Sequence, residues 1–437
     1  MHHFAFHNGS LCCEQHKLSY LSRHYGTPLY VYSAQTIRDN FRRLKAALAP
    51  LNHLVCYAVK ANSNLYILNL FAGLGAGFDI VSGGELYRIL QAGGYASRCT
   101  FAGIGKTREE IDYALREGVY CFIVESEAEL ETINGIAGKL GRRAPVALRI
   151  NPDVEVSTHS YITTGKANNK FGIDLSHAEE AYAHAAALPH LSIRGVQTHI
   201  GSQILDCRPF VEAIRKLSSL VVQLAERYGI EFFSVGGGMG IVYQEALESG
   251  APQWWKEADP ELLTPERYAA ALLPLLSSLG VKILFEPGRS LVGNAGILIT
   301  RVIQAKKQSA KRFVIVDAGM NDLIRPALYE TPHQVVPLEH SPHLGSGTAD
   351  VVGPVCESGD FFLQEASLPD YQPGDYLALM SAGAYGSAMS SRYNSRPLAA
   401  EVMVDNSESF LIREREKFSD LILREHVMGI SSNISHS

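Results

Sequence analysis

The stretch Val55-Cys56-Tyr57-Ala58-Val59-Lys60-Ala61-Asn62 is an apolar run that ends in one lysine and a polar turn. Such a run predicts a buried strand with its charge at the C-terminal tip. Because burial disfavours an ammonium, we expect a lowered pKa for Lys60 and an amine that can form a Schiff base with a carbonyl. A surface lysine that closes a strand is the ordinary alternative, and the rest of the sequence has to decide between the two.

Seven further apolar runs follow this one, and several are separated by segments with helical periodicity, for example residues 210–228. Eight strands that alternate with helices are the number that closes a (β/α)8 barrel of the TIM type. We therefore predict an α/β fold in which this barrel occupies residues 35–295. The predicted strands are residues 55–60, 78–82, 100–103, 121–125, 146–151, 193–202, 232–237 and 283–291.

After residue 291 the strand-like runs become shorter and are separated by Gly, Pro, Asn and Ser. This texture predicts a mostly antiparallel β domain over residues 296–437. Residues 1–34 form an N-terminal segment, and its strand-like part, residues 26–32, is expected to join the β domain. Residues 251–261 read as a local insertion. We expect the terminus with His2, His3 and His7 to be mobile, and the polar tail, residues 431–437, to be disordered.

Composition narrows the class of protein. The 437 residues carry a formal net charge of -6, with 39 basic and 45 acidic residues interspersed. No basic block recommends a nucleic-acid or anionic-membrane partner, and no apolar run is long enough to span a bilayer. The N-terminus lacks the pattern of a secretory signal, so a cytoplasmic protein is expected. The seven cysteines form no CxxC pair, which indicates reduced thiols and no metal site.

Unusual residues collect at the C-terminal ends of the predicted strands, which is the rim where barrel enzymes build their active sites. Two glycine-bearing loops would end strands seven and eight, where a phosphate often binds, although a tight turn without a ligand is the alternative. His199 could be a core histidine, or it could lie over a flat cofactor with Ser202 as a phosphate donor. The rim residues are Lys60, Asp79, Glu125, Arg149, His199, Gly236–Gly238 and Glu286–Arg289.

Five motifs together resemble a known family. They are Tyr57-Ala58-Val59-Lys60-Ala61-Asn62, His199-Ile200-Gly201-Ser202, Gly236-Gly237-Gly238, Glu286-Pro287-Gly288-Arg289 and Cys356-Glu357-Ser358-Gly359-Asp360. In this order they are similar to the alanine-racemase-like fold (fold type III) of pyridoxal phosphate enzymes, and within it to the diaminopimelate decarboxylases. The resemblance extends from residue 26 to residue 402.

The resemblance implies how the cofactor, pyridoxal 5'-phosphate, is held. Lys60 would bind it covalently, His199 would stack on the pyridine ring, and Glu286 would face the ring nitrogen. A carboxylate there keeps the ring protonated, so that it accepts the electron pair left when CO2 departs. Cys356 would donate the proton that replaces CO2, although a single cysteine is more often an inert thiol. The implied cofactor-binding residues are Lys60, Asp79, His199, Ser202, Gly237, Gly238, Glu286, Gly288, Arg289 and Tyr385.

The same resemblance implies a substrate with a carboxylate at its far end, because a buried carboxylate calls for guanidinium partners. Structural salt bridges are the alternative role of those arginines. A homodimer is implied, with Tyr385 and the loop of Cys356 reaching the active site across the interface, and residues 158–172 would form a mobile cover. The implied substrate-binding residues are Arg289, Arg325, Tyr329, Glu357 and Tyr385.

The expected reaction is therefore decarboxylation of meso-2,6-diaminopimelate to L-lysine and CO2, the last step of lysine biosynthesis. A decarboxylase of a related basic amino acid, such as D-ornithine or D-lysine, or of a carboxylated polyamine precursor is the first alternative. A silent homologue that carries the cofactor or regulates a partner is the second. This chain keeps Lys60, Cys356 and the second domain, which argues against a catalytically silent homologue.

Overall fold

The structure is a computed structural model, and it describes residues 1–155, 170–308, 311–340 and 346–427. The N-terminal segment is ordered, so the expectation of a mobile terminus is wrong. His2 is half-buried and its Nε2 donates to the carbonyl of Ala246 at 2.7 Å. The elements of this segment are β1 (Phe4–His7), β2 (Ser10–Cys13), β3 (His16–Lys17), α1 (Leu18–Tyr25) and β4 (Leu29–Ser33).

A closed barrel of eight parallel strands follows, which confirms the predicted TIM-type architecture. Its strands pair in the order β5, β6, β7, β8, β9, β11, β12, β13, and β13 returns to β5. The elements are α2 (Ala34–Ala47), β5 (His53–Ala58), α3 (Leu65–Gly73), β6 (Gly77–Ile80), α4 (Gly83–Gln91), β7 (Cys99–Phe101), α5 (Arg108–Glu117), β8 (Cys121–Val124), α6 (Glu127–Lys139), β9 (Ala144–Asn151), β10 (Ile173–Asp174), α7 (Ala178–Ala187), β11 (Leu191–Gln197), α8 (Arg208–Tyr228), β12 (Phe232–Ser234), α9 (Pro252–Glu257), α10 (Pro265–Leu276) and β13 (Lys282–Phe285).

Short connections with capping residues keep the rim compact. Ser82, Thr107 and Ser126 each accept a hydrogen bond from a backbone N–H in the first turn of α4, α5 and α6. A side-chain cap of this kind satisfies a donor that the helix cannot, so the helix can begin directly at the rim. At the last strand the predicted range 283–291 was too long. β13 ends at Phe285, and after Pro287 and Gly288 the chain turns into a short helix.

The remaining chain builds a mostly antiparallel sheet, again as predicted. Its order is β18, β17, β15, β14, β4, β20, β21, so the N-terminal strand β4 lies inside it between β14 and β20. The elements are α11 (Arg289–Val292), β14 (Gly296–Gln308), β15 (Lys311–Val316), α12 (Arg325–Tyr329), β16 (Val335–Pro337), β17 (Ser346–Val352), β18 (Phe361–Pro369), β19 (Tyr376–Leu379), β20 (Ala400–Asp405), β21 (Glu408–Arg413) and α13 (Phe418–Leu421).

Domain boundaries after residues 34 and 295 stay predictions, and the tail at residues 431–437 lies outside the described residues. Residues 251–261, predicted to be a local insertion, contain helix α9, whose Trp255 donates to the carbonyl of Ser249 at 2.7 Å. Within the described ranges, every helix is too short or too polar to cross a membrane.

Candidate active site

Lys60 lies in a short turn directly after β5, at the barrel rim. Its Nζ forms an ion pair of 2.7 Å with Oδ2 of Asp79, a buried carboxylate near the end of β6. Burial opposes the charge of Lys60 and is the largest single effect, but the combined effects of Asp79, Tyr385 and Glu85 outweigh it and raise the pKa of Lys60 above its ordinary value. The expected lowering of this pKa is therefore wrong, because the neighbouring groups together raise it by more than burial lowers it. Without a ligand, the amine is held protonated.

Glu286 follows β13 and is buried. Ser234 Oγ donates to its Oε1 at 2.6 Å, and Gln197 Nε2 donates to its Oε2 at 2.9 Å. These bonds favour the carboxylate, yet burial and repulsion by Asp79 raise the pKa of Glu286 to about 7. The site thus holds an acid that can keep or release a proton near neutral pH.

His199 follows β11 and contacts the glycine loop that follows β12. The backbone N–H of Gly237 donates to His199 Nδ1 at 3.2 Å, so the ring proton must reside on Nε2. Burial, together with the charges of Arg149 and Lys60, lowers the pKa of His199 well below its ordinary value. The imidazole is therefore neutral, and the loop fixes its tautomer.

The glycines of this loop are required by close backbone approach. A Cβ at Gly237 would lie 2.2 Å from the carbonyl oxygen of Glu286, and one at Gly238 would lie 2.6 Å from that of Gly201. Beside the loop, Arg289 Nη2 donates to Ser202 Oγ at 3.0 Å. The hydroxyl of Ser202 and the loop of Gly237 and Gly238, where an anion can approach the backbone closely, line one cavity and form an anion cradle beside Arg289.

The second domain supplies the other wall. Tyr385 has a left-handed backbone (φ 55°), and its N–H donates to the carbonyl of Ala61 at 2.8 Å, next to Lys60. Its ring lies 4.7 Å from the guanidinium carbon of Arg289. Arg325, the first residue of α12, is 3% exposed. Tyr385 therefore belongs to the site of its own chain, and the expectation that it reaches across a dimer interface is wrong.

One cavity of about 550 Å³ collects these side chains. It is lined by twelve of the predicted residues, namely Lys60, Asp79, His199, Ser202, Gly237, Gly238, Glu286, Gly288, Arg289, Arg325, Tyr329 and Tyr385. A lysine amine, a buried acid, a neutral imidazole and an anion cradle thus face one cavity, and these groups suit amino-acid chemistry on a carbonyl cofactor.

Comparison with known proteins agrees with this geometry. Residues 34–293 match the family described as pyridoxal-dependent decarboxylase, pyridoxal binding domain. The diaminopimelate decarboxylase of Vibrio cholerae is 47% identical, with 96% of this chain and 98% of that protein covered. That of Neisseria meningitidis serogroup B is 48% identical, with 95% and 97% covered. This chain belongs to the diaminopimelate decarboxylase family.

Solved structures of this decarboxylase family have the same fold. The enzyme from M. jannaschii superposes with a TM-score of 0.89 at 36% identity, covering 97% of this chain and 98% of that chain. The Helicobacter pylori enzyme, solved with L-lysine, gives a TM-score of 0.86 at 42% identity, with 93% and 98% covered. A lysine/ornithine decarboxylase from Vibrio vulnificus is 22% identical and shares the fold alone.

The decarboxylase uses pyridoxal 5'-phosphate, and the residues present fit it. Lys60 could hold its aldehyde carbon, the anion cradle could hold its phosphate, and the buried carboxyl of Glu286 could face its ring nitrogen. Two buried polar atoms at the site, Asp79 Oδ1 and Arg289 Nε, have no hydrogen-bond partner among the described residues. Orphaned polar atoms in a cavity of this size are expected where a polar ligand belongs.

Two of the predicted site residues, Cys356 and Glu357, lie outside the Lys60 cavity. Cys356 is exposed, and its backbone N–H donates to Asn394 Oδ1 at 2.9 Å. The carboxylate of Glu357 accepts a hydrogen bond from the hydroxyl of Tyr393. Neither Cys356 nor Glu357 lines the Lys60 cavity. The chain thus presents a thiol and a carboxylate on a surface away from its own cofactor site.

The sequence missed several residues of the site. Gln197 and Ser234, the partners of Glu286, are polar residues at the last positions of β11 and β12. Their position at strand ends is the sequence feature that could have marked them as site residues. Tyr243 accepts a hydrogen bond from Arg289, but no motif marks it. Of the predicted cover, residues 158–169 lie outside the described residues, while Phe171 lines the cavity.

Proposed function

We propose that this enzyme removes CO2 from meso-2,6-diaminopimelate to form L-lysine, the last step of lysine biosynthesis. The observation that carries the proposal is the pair of buried guanidiniums, Arg289 and Arg325, in the cavity that holds Lys60. Within the described part of the chain, no carboxylate forms an ion pair with either of them. A substrate with an amino-carboxylate at its far end would supply that anion. A simple diamine acid without this carboxylate would not.

When bound, pyridoxal phosphate supplies a ring that accepts the electron pair left on the substrate as CO2 departs. Lys60 anchors the cofactor and Asp79 holds that amine in place. Glu286 would face the ring nitrogen, and a pKa of about 7 suits an acid that shares a proton with it. The neutral ring of His199 offers a flat face without adding a positive charge that would compete with the ring nitrogen.

The proton that replaces CO2 would come from Cys356, and Glu357 would hold the distal ammonium of the substrate. Both residues are exposed to solvent and lie outside the cavity of their own chain. We therefore propose a homodimer in which each subunit completes the site of the other, acting in the cytoplasm, where lysine is made.

The reaction is tested with the purified protein. It should be yellow, borohydride should fix a pyridoxyl group on Lys60, and diaminopimelate should yield equal amounts of CO2 and lysine. Arg325→Ala is expected to lower kcat/KM for diaminopimelate by about 100-fold, since a charge-assisted contact is lost in a buried site. The exposed Arg116→Ala serves as the control. Turnover of D-lysine or D-ornithine in place of diaminopimelate would refute the substrate assignment.

The shared site is tested by complementation. Lys60→Ala and Cys356→Ala should each be inactive as homodimers. Random mixing of their subunits should restore about a quarter of wild-type activity, because half of the dimers are mixed and each has one intact site. Mixtures that stay inactive would show that Lys60 and Cys356 act within one chain.

A further inference from the structure

Tyr243 touches both buried guanidiniums with different parts of its side chain. It follows the glycine loop after β12 and is 5% exposed. Its hydroxyl oxygen accepts a hydrogen bond of 2.5 Å from Arg289 Nη1. Its ring face lies 4.8 Å from the guanidinium carbon of Arg325. One barrel residue therefore bridges an arginine of the barrel rim and an arginine of the second domain.

The two cations are kept charged but not neutralised. In the described ranges neither has an ion-pair partner, and the Nε atom of each lacks a hydrogen-bond partner. Burial and the nearby Arg289 lower the pKa of Arg325. Two like charges in a buried site are costly unless an anion joins them. A tyrosine hydroxyl can orient Arg289 without cancelling its charge, whereas a carboxylate at the same place would compete with an anionic ligand.

Tyr243 itself is fixed from behind by His333. The imidazole packs edge-on to the tyrosine ring, with 4.8 Å between ring centroids and an angle of 72°. His333 is fully buried, and its Nδ1 donates to the carbonyl of Met380 at 2.7 Å. Since a carbonyl only accepts, the ring of His333 is held in one tautomer and one orientation. Tyr243 thus packs against a side chain with a fixed orientation, so its ring and hydroxyl can hold both arginines in defined positions.

We propose that Tyr243 is a positioning residue that sets the placement of Arg289 and Arg325 and so determines selection for a substrate with a distal carboxylate. This inference deepens the proposed function and rests on it for the identity of the substrate. Tyr243 would act through the arginines and not on the reacting atoms.

The test uses Tyr243→Phe, which keeps the ring face for Arg325 and removes the oxygen that orients Arg289. Two competitive inhibitors separate the effects in the full-length enzyme at saturating cofactor. L-lysine retains the distal amino-carboxylate of the substrate, and 1,5-diaminopentane lacks the carboxylate. We expect the inhibition constant of L-lysine and the KM of diaminopimelate to rise about tenfold. The inhibition constant of 1,5-diaminopentane and kcat should change less than about twofold.

Tyr371→Phe is the matched control. It also removes a buried tyrosine hydroxyl, one with no hydrogen-bond partner among the described residues, and Tyr371 does not line the cavity. It should bind both inhibitors as the wild type does. An equal loss of both inhibitors in Tyr243→Phe, or no loss of L-lysine, would overturn the assignment. If the wild type fails to decarboxylate diaminopimelate but Tyr243→Phe still weakens L-lysine selectively, the proposed function falls and the role of Tyr243 stands.

Discussion

Replacing Glu286 by Gln should stabilise the cofactor-free protein while it inactivates the enzyme. The folded carboxyl has a pKa of about 7, raised from 4.5 by burial and by repulsion from Asp79. Between these two values the folded state keeps a proton that the unfolded chain has released, so the folded state loses stability as pH rises. A difference of about 2.5 units corresponds to about 3 kcal/mol above pH 7 and about 1 kcal/mol at pH 5. Gln carries no charge and avoids this cost.

The assay is urea unfolding of the cofactor-free protein at pH 5 and pH 8. The gain in free energy of unfolding for Glu286→Gln over wild type should grow by about 2 kcal/mol between these pH values. The loaded variant should lose about 100-fold in kcat, because the acid proposed to face the ring nitrogen is gone. The exposed Glu180→Gln should change neither quantity. A gain that is equal at both pH values would refute a raised pKa at Glu286.

Two further changes test the neighbours of the site. Asp79→Asn removes the ion-pair partner of Lys60 and so favours its neutral, nucleophilic amine. The cofactor-free variant should therefore attach pyridoxal phosphate faster than wild type at pH 7, as measured by stopped-flow absorbance. A slower rate would contradict the ion-pair argument. Tyr393→Phe removes the hydrogen bond that orients the carboxylate of Glu357, so the KM of diaminopimelate should rise about tenfold while the cofactor absorbance stays unchanged. An unaltered KM would argue against a role for Glu357 in substrate binding.

The barrel could be predicted because most of its strands are apolar runs with a polar or charged residue at or soon after their last position. Strand β14 could not be recognised as a unit. Its first five residues are buried, while from Arg301 onward most side chains face solvent. The strand therefore changes from buried to mostly exposed side chains in its middle, and its partner β4 is distant in sequence. The terminal histidines were misjudged for the same reason, since His2 is ordered by Ala246, far along the chain.

In the site, the positions of the residues could be predicted from the sequence, but the balance of opposing effects on their pKa values could not. Lys60 and Glu286 could be placed at strand ends, yet the sign of the pKa shift of Lys60 depends on Asp79, which the barrel brings within 2.7 Å. Two opposing effects of similar size cannot be ranked without that distance. Tyr243 shows the same limit, because its contact with Arg289 spans 46 residues and no local pattern announces it.

The placement of β4 inside the C-terminal sheet has a consequence for biosynthesis. Its residues leave the ribosome roughly 260 residues before β14 begins, which at about 5–20 residues per second means a delay on the order of 10–50 seconds. During that time the nascent chain carries an apolar strand with both edges unpaired, a hazard for misassociation. A circular permutant that moves residues 1–34 behind the C-terminus would translate the strand beside its neighbours. Residues 296–437 made alone would lack a strand from the middle of their sheet.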